Sequence, residues 1–189
     1  MNTAARLCRS AIPALSLAVL VLVAGCAAMQ AKSLLDASVV TDRLTVQEAY
    51  TKVNGVLVDT GFDIKHGDPA AGLVTTEYKP LGTSTSWDAK NPWEEKLGLQ
   101  IRVTITDQGG GKLQIKLAPI VRVVNSRDAT VKDRPLKYWD QKGIDLVASS
   151  RDDAPWVKGQ VLFSQVTKGI CEACGLQPEQ MQVTVVPLR

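Results

Sequence analysis

Two long alternating segments joined by three glycines constrain the fold of this chain more than any other feature. Apolar and polar residues alternate from Leu97 to Thr106, and a period of two is typical of a strand with one buried face. Gly109-Gly110-Gly111 suits a turn, because glycine adopts positive φ angles at little cost. The segment 112–124 resumes the alternation, so the sequence predicts a long antiparallel hairpin. Its inward-facing residues are predicted to be Leu97, Leu99, Ile101, Val103, Ile105, Leu113, Ile115 and Leu117.

Two helices are predicted, one on each side of this hairpin in the sequence. The first runs from Thr45 to about Thr60, where Thr45 and Glu48 fit a capping box and Gly61 supplies the stop. The second runs from about Ala154 to Cys171 or Cys174. Apolar residues recur at helical spacing in both segments, which predicts one buried face for each helix.

Shorter strands are predicted on both sides of the long hairpin. Residues 62–64 and 73–78 are expected to pair across a turn, and residues 181–186 are expected to form a last strand. Pro119 cannot donate to a ladder, so it predicts an edge or a bulge late in the long hairpin. We therefore expect an α+β fold, with an antiparallel sheet of four or five strands and two main helices packed on one face.

Three segments carry weaker patterns. Residues 27–43 fit either a tether or an added edge strand. Residues 80–95 are expected to be a loop that holds Trp87 and Trp93, and residues 125–154 are polar, with room for a short helix. The domain prediction is a leader at 1–25, a lipidated N-terminus and tether at 26–43, and a single domain at 44–189, which is long enough to bury a core.

The leader ends in a distinctive tetrapeptide. Arg6 and Arg9 precede an apolar run from Ala11 to Ala24, which is shorter than the about 20 apolar residues that a mature membrane helix needs. Val23-Ala24-Gly25-Cys26 resembles the lipobox of bacterial lipoproteins, a family in which a peptidase cuts before the cysteine and lipid is attached to it. The resemblance implies a lipid anchor at Cys26 that carries fatty acids such as palmitate. The alternative is an ordinary secretory leader with a chance cysteine.

The residue after the cysteine bears on localisation. In Gram-negative lipoproteins, Asp at that position is the signal for retention at the inner membrane, and residue 27 is Ala. The resemblance therefore implies the periplasmic face of the outer membrane. Attachment by two or more acyl chains is stable, whereas one chain binds only reversibly.

The charge balance of the chain gives no indication of nucleic-acid binding. The chain has 22 Lys and Arg against 19 Asp and Glu, and removing Arg6 and Arg9 with the leader leaves 20 against 19. No dense basic cluster is present in the sequence, so we expect no nucleic-acid partner.

Cys171 and Cys174 form a Cys-x-x-Cys pair. Gly175 stands where a c-type haem site needs histidine, and the mature chain lacks two further ligands for zinc. A redox pair normally lies at a helix N-terminus, where the thiol pKa is lowered, whereas this pair lies at a predicted C-terminal end. In an oxidising compartment we expect a structural disulfide, with a reduced, inert pair or a thiol-disulfide activity as alternatives.

No catalytic constellation accompanies these cysteines. His66 is the only histidine and lies in a predicted turn, and neither a nucleophile elbow nor a phosphate loop occurs. We therefore expect a non-enzymatic protein without cofactor or metal. Trp87 and Trp93 are candidates to line a partner groove, because exposed aromatics are strong interface anchors, although all four tryptophans could instead pack beneath their own loops.

The segment from Ala49 to Tyr78 combines an amphipathic helix, the run Gly61-Phe62-Asp63-Ile64, a turn and a Thr-rich strand that follows Gly72. This order resembles the repeated domain of lipoprotein C of the outer-membrane β-barrel assembly machinery. The resemblance implies a binding or assembly module of an envelope complex, with an envelope protein as partner. The alternative function is a small-ligand or lipid-handling module with a pocket between helix and sheet.

Overall fold

The computed structural model describes residues 31–86, 93–148, 150 and 152–188. In this part of the chain, eight strands form one antiparallel sheet, with three α-helices beside it. The strands are β1 (Lys32–Thr41), β2 (Ile64–Asp68), β3 (Leu73–Thr76), β4 (Lys79–Ser86), β5 (Trp93–Gly109), β6 (Lys112–Asn125), β7 (Val131–Tyr138) and β8 (Gln182–Pro187). The helices are α1 (Val46–Asp59), α2 (Gln141–Val147) and α3 (Ala154–Ala173), and Pro178–Gln180 form one 3₁₀ turn.

The β5–β6 hairpin is the centre of the sheet, and its prediction is confirmed. Ile105 pairs with Ile115, Val103 with Leu117, and all three glycines of the turn have positive φ. The eight residues predicted to face inward are buried, together with side chains from α1 and α3. The period-two pattern therefore identified the buried face of the hairpin correctly.

Each long strand changes partner along its outer edge. β5 pairs with β3 at residues 102–104 and with β4 at residues 93–99. β6 pairs with β1 at residues 113–117 and with β7 at residues 120–124. The prediction of an edge or bulge at Pro119 is wrong, because Pro119 pairs with Ile101 inside the sheet. Pro119 is tolerated there because it falls between the segments that pair with β1 and β7, where no ladder donor is required.

The fold class predicted from sequence is wrong, because the sheet has eight strands and dominates a structure in which the helices are short. The expected loop at 80–95 contains β4 and the start of β5. The expected irregular region at 125–154 contains β7 and α2. The β4 sequence includes Pro80 and Gly82, and half of the β7 residues are charged, so the strand propensity of both segments is weak. Backbone pairing with β5 and β6 stabilises both strands.

The tether predicted for residues 26–43 is wrong for most of its length. Residues Lys32–Thr41 form β1, which pairs with β6 and β7 on one side and with β8 on the other. The alternative of an added strand applies, although β1 lies inside the sheet and not at its edge. Leu34, Ala37 and Val39 are buried in the common core.

The helices α1 and α3 follow the sequence closely. Thr45 caps α1 in a capping box with Glu48, and Gly61 ends the helix region with a φ of 78°. Helix α3 ends at Ala173, with Cys174 as its C-cap. A Cβ at Gly159 would approach Leu81 and Leu136 to 2.9 Å, so glycine allows α3 to lie close to β4 and β7. None of the helices described is long and apolar enough to span a membrane.

Candidate docking groove

An open groove of about 500 Å³ lies between α3 and the β1–β8 end of the sheet. Leu34 of β1 and Val183 of β8 line one side, and residues 160–167 of α3 line the other. All of the lining side chains are uncharged. They are Leu34, Tyr138, Trp139, Gln141, Ile144, Gln160, Val161, Phe163, Ser164, Gln165, Thr167 and Val183.

Gln160 joins the helical wall of the groove to the segment that enters α2. Its Oε1 accepts a hydrogen bond from the Trp139 backbone N–H at 3.0 Å, and its Nε2 donates to the Trp139 carbonyl at 2.7 Å. Gln160 and Trp139 are both buried. Buried backbone groups need hydrogen-bond partners. This reciprocal pair supplies them for the N–H and C=O of Trp139, where the chain leaves the sheet and enters α2. The polar residue inside an otherwise apolar helix face is therefore structural.

The ammonium group of Lys137 lies behind the same wall. Lys137 forms an ion pair with Asp153, the N-cap of α3, at 3.0 Å between Nζ and Oδ1. Its Nζ also lies 5.0 Å from the Trp156 ring centroid and 5.8 Å from that of Trp139. An ammonium group at these distances is attracted to the aromatic ring faces. Lys137 thus connects the end of β7 to the start of α3 and to both tryptophans.

Strand β8 has one partner among the residues described. It pairs with β1 from Lys32↔Pro187 to Ser38↔Gln182 and lies at the end of the strand order. The strand contains no charged residue. Val183 is 48% exposed and belongs to the groove lining, whereas Val185 packs partly against the core. The edge of β8 that has no partner among the described residues and the groove therefore lie side by side.

The two cysteines predicted to form a disulfide lie at the end of α3, and both thiols are free in the structure. Cys171 is fully buried and Cys174 is 4% exposed. Burial raises the pKa of both thiols, and nearby Glu179 and Glu172 raise the pKa of Cys171 further. A raised pKa disfavours the thiolate that redox chemistry requires. The disulfide stays a prediction.

Only one of the two tryptophans proposed for a partner groove is described. Trp93 opens β5, is half-buried, pairs with Ser86, and donates from Nε1 to Glu95 Oε1 at 3.3 Å. It does not line the groove beside β8. Trp87 and the anchor residue Cys26 lie outside the described residues, so their roles stay predictions. Trp139 and Trp156 are part of the main core.

A second polar cluster lies over the exposed side of the β5–β6 pair. The Arg122 guanidinium lies 3.9 Å from the Tyr78 ring centroid and donates to Asp133 at 3.1 Å, and the Tyr78 hydroxyl also donates to Asp133. The hydrogen bond from Arg122 lowers the pKa of Asp133 below its ordinary value. Gly98, opposite Arg122 in the ladder, leaves space for Tyr78. The charges of Arg122 and Asp133 are therefore paired with each other inside this cluster.

In the part of the chain described, no set of three metal-ligating side chains converges. His66 is exposed and lies in β2, not in a turn as the sequence suggested. The sequence indicated a pocket between helix and sheet only as an alternative, and it did not identify the residues that line this groove. Its only signal was an uncharged, valine-rich strand near the C-terminus beside a glutamine in an apolar helix face.

The comparisons with known proteins leave function open. No protein-family model matches the sequence, and no curated protein matches it. A DUF4468 family protein from Bacteroides ovatus ATCC 8483 aligns with 15% identity over 74% of this chain and 86% of its own, at a TM-score of 0.38. A TBP-like protein from Parabacteroides distasonis ATCC 8503 aligns with 12% identity over 76% and 93%, also at a TM-score of 0.38. At this similarity the likeness carries no argument about what this chain binds.

Proposed function

We propose that this chain is a non-enzymatic binding module of a cell-envelope complex, attached through lipid on Cys26 to the periplasmic face of the outer membrane. Its docking site is the free edge of β8 together with the groove beside α3. The partner is an extended, uncharged segment of another protein, which adds a strand to β8. One observation carries the proposal: an edge strand without charge lies directly beside an open groove of about 500 Å³.

The physics of strand addition fits this arrangement. An edge strand presents a row of unpaired N–H and C=O groups, and a bound strand satisfies them through main-chain hydrogen bonds. Alternate side chains of the added strand then point to the same face of the sheet. On the helix side they would meet Val183 and the wall formed by α3, which supplies apolar contact and selects for side-chain shape.

The charges of the site favour a neutral occupant. Every side chain that lines the groove is uncharged, and so is every residue of β8. A charged side chain entering the groove would lose water without gaining a partner of opposite charge. A second copy of β8 would supply only valine, threonine, glutamine and proline side chains to the groove. A segment with larger apolar residues fills the space better, so another protein is the favoured occupant.

Photo-crosslinking in intact cells tests the proposal. A photoreactive amino acid at Val183 is compared with the same residue at Val131, since both are exposed valines on strands and Val131 lies far from the groove. We expect a discrete adduct with one other protein from position 183 and not from position 131. A synthetic peptide copied from the crosslinked segment should then protect β8 amides from hydrogen exchange.

Each other outcome contradicts the proposal in its own way. An adduct between two copies of this chain would identify β8 as a dimer interface. An adduct with lipid would support the alternative of a lipid-handling module that uses the same groove. Equal adducts at 183 and 131, or no adduct at 183, would show that the β8 edge is not a docking site.

A further inference from the structure

The first residue of the sheet lies close in sequence to the proposed lipid anchor. β1 begins at Lys32, only six residues after Cys26. A chain of six residues spans at most about 21 Å when fully extended. Lipid attached to Cys26 would therefore hold the start of β1 within about 21 Å of the membrane, far closer than a tether ending at residue 43 would allow.

The ladder identifies which end of the molecule this is. Lys32 pairs with Tyr138 at the end of β7 and with Pro187 at the end of β8. At the other end of β1, Thr41 pairs with Leu113, next to the β5–β6 glycine turn. Ten residues of strand span about 33 Å, which exceeds the reach of about 21 Å from Cys26, so β1 cannot stand on the bilayer with its Thr41 end at the surface.

From this geometry we propose that the Lys32 end of the sheet is a lipid-facing surface, with Lys32, Tyr138 and Leu188 directed at the headgroup region. This inference rests on the anchoring at Cys26 in the proposed function. In this orientation the domain contacts the bilayer directly. The Thr41 end, with the glycine turn, points away into the periplasm.

The side chains at the Lys32 end have the chemistry that a phospholipid surface accepts. Lys32 is exposed, Leu188 is 47% exposed, and Tyr138 is half-buried. Lysine can extend its apolar stem while its ammonium group meets phosphate, and tyrosine combines an apolar ring with a polar hydroxyl. Tyr138 also lines the groove. The docking site for the partner segment would therefore open next to the bilayer.

A matched pair of labelled positions tests this orientation. Lys32→Cys and Lys112→Cys place a fluorophore at exposed lysines that begin β1 and β6, at opposite ends of the sheet. The lipidated protein, purified from the envelope, is reconstituted into phosphatidylethanolamine–phosphatidylglycerol vesicles that contain lipid-borne quencher. We expect quenching at position 32 to exceed quenching at position 112 by at least about five-fold, since the positions differ by the length of β1.

The controls separate the orientation from the anchoring. Incorporation of labelled palmitate is measured first, in the native chain and in Cys26→Ser. Absence of palmitate from the native chain would overturn the anchoring and the orientation together. Palmitate incorporation with equal quenching at both positions, or stronger quenching at position 112, would overturn the orientation alone. The crosslinks at Val183 are read independently of both.

Discussion

Strands β2 and β8 lie at the two ends of the sheet, and their free edges differ in chemistry. β2 is a five-residue strand with Lys65, a bulge between Ile64 and His66, and an ion pair of 3.8 Å from Lys65 to Glu77. Short length, lysine and bulges are the devices that keep an edge from pairing with another chain. β8 is a six-residue strand with three valines and no charge.

The helix next to each edge strengthens the difference. Tyr50 of α1 extends its hydroxyl over Gly67, so that a Cβ at this position would collide with it. Tyr50 therefore covers the face of β2 that lies towards α1. Beside β8, helix α3 leaves a groove that nothing in the described residues fills. Of these two edges, one is thus protected and one is open, and the open edge of β8 is where we expect binding.

The largest expected effect concerns α3, the helix beside the open β8 edge. The test is whether the end of this helix opens in the native state. Cys171 and Cys174 are buried at the end of that helix, so alkylation in the native state requires the helix to open. We expect native alkylation to be about a thousand-fold slower than in denaturant, where both thiols should react. Mass spectrometry after iodoacetamide treatment counts the adducts.

The same experiment distinguishes the thiols from a disulfide. A chain that gains two adducts in denaturant only after reduction would carry the disulfide predicted from sequence. Burial raises the pKa of both free thiols, so the native state holds their protons more tightly than the unfolded state. This contribution to stability is complete below the unfolded thiol pKa of about 8.5 and is lost as the pH rises above it. Fast native alkylation would contradict a rigid α3.

The next effect comes from removing the hydrogen bonds between Gln160 and Trp139 in the wall of the groove. Gln160→Met keeps the volume of the side chain but leaves the N–H and C=O of Trp139 buried without partners. We expect a loss of about 2–4 kcal/mol in the free energy of unfolding, measured with denaturant. Gln165→Met is the matched control, because Gln165 is an exposed glutamine of the same helix and groove, and should change stability by less than about 0.5 kcal/mol. Equal losses would show that the reciprocal pair is unimportant.

A smaller effect is expected from a substitution in α1, the helix beside the protected edge of β2. Thr45→Ala removes the N-cap of α1, and we expect a loss of about 1 kcal/mol in the free energy of unfolding. Thr51→Ala, on the exposed side of the same helix, should have little effect. The hydrogen bond from the Thr45 backbone lowers the pKa of Glu48, so the stabilisation by Glu48 is present above the ordinary carboxyl pKa and is lost as the pH falls through the lowered value.

The smallest effect on stability comes from exchanging the chemistry of the two edges. Val183→Lys places a charge on β8, and Lys65→Val removes one from β2. Both positions are exposed, so each free energy of unfolding should stay within about 0.5 kcal/mol. Sedimentation at matched concentrations should show more self-association for Lys65→Val than for the native chain, and no increase for Val183→Lys. No increase for Lys65→Val, or an increase for Val183→Lys, would show that edge charge does not control pairing.

The sequence alone was sufficient where structure depends on neighbours in the chain. Thr45 and Glu48 predicted the capping box because its hydrogen bonds span three residues. The alternation in β5 and β6 predicted the buried face because each strand is half-buried along its length. The positive φ of Gly61 and of the glycine turn followed from glycine's conformational freedom.

The sequence alone was insufficient where structure depends on distant pairing. β7 reads as charged loop because its residues face solvent, and only hydrogen bonds to β6 and β1 make it a strand. β1 resembled a tether because its apolar patch is weak in the sequence and the strands that pair with it lie more than 70 residues further along the chain. Cys26, Trp87 and the lipid anchor remain predictions. The candidate site likewise has no local motif, because Leu34, Gln160 and Val183 converge only after β1, α3 and β8 have packed.

Local chemistry in this chain therefore determined the two main helices, the central hairpin and the lack of a conventional catalytic motif. Packing determined the number of strands, the position of Pro119 inside the sheet, and which edge remained free. The physical reason is the range of the interactions. Caps, turns and alternating burial act over a few residues and leave a pattern in the sequence, whereas strand order is set by backbone hydrogen bonds that almost any side chain permits.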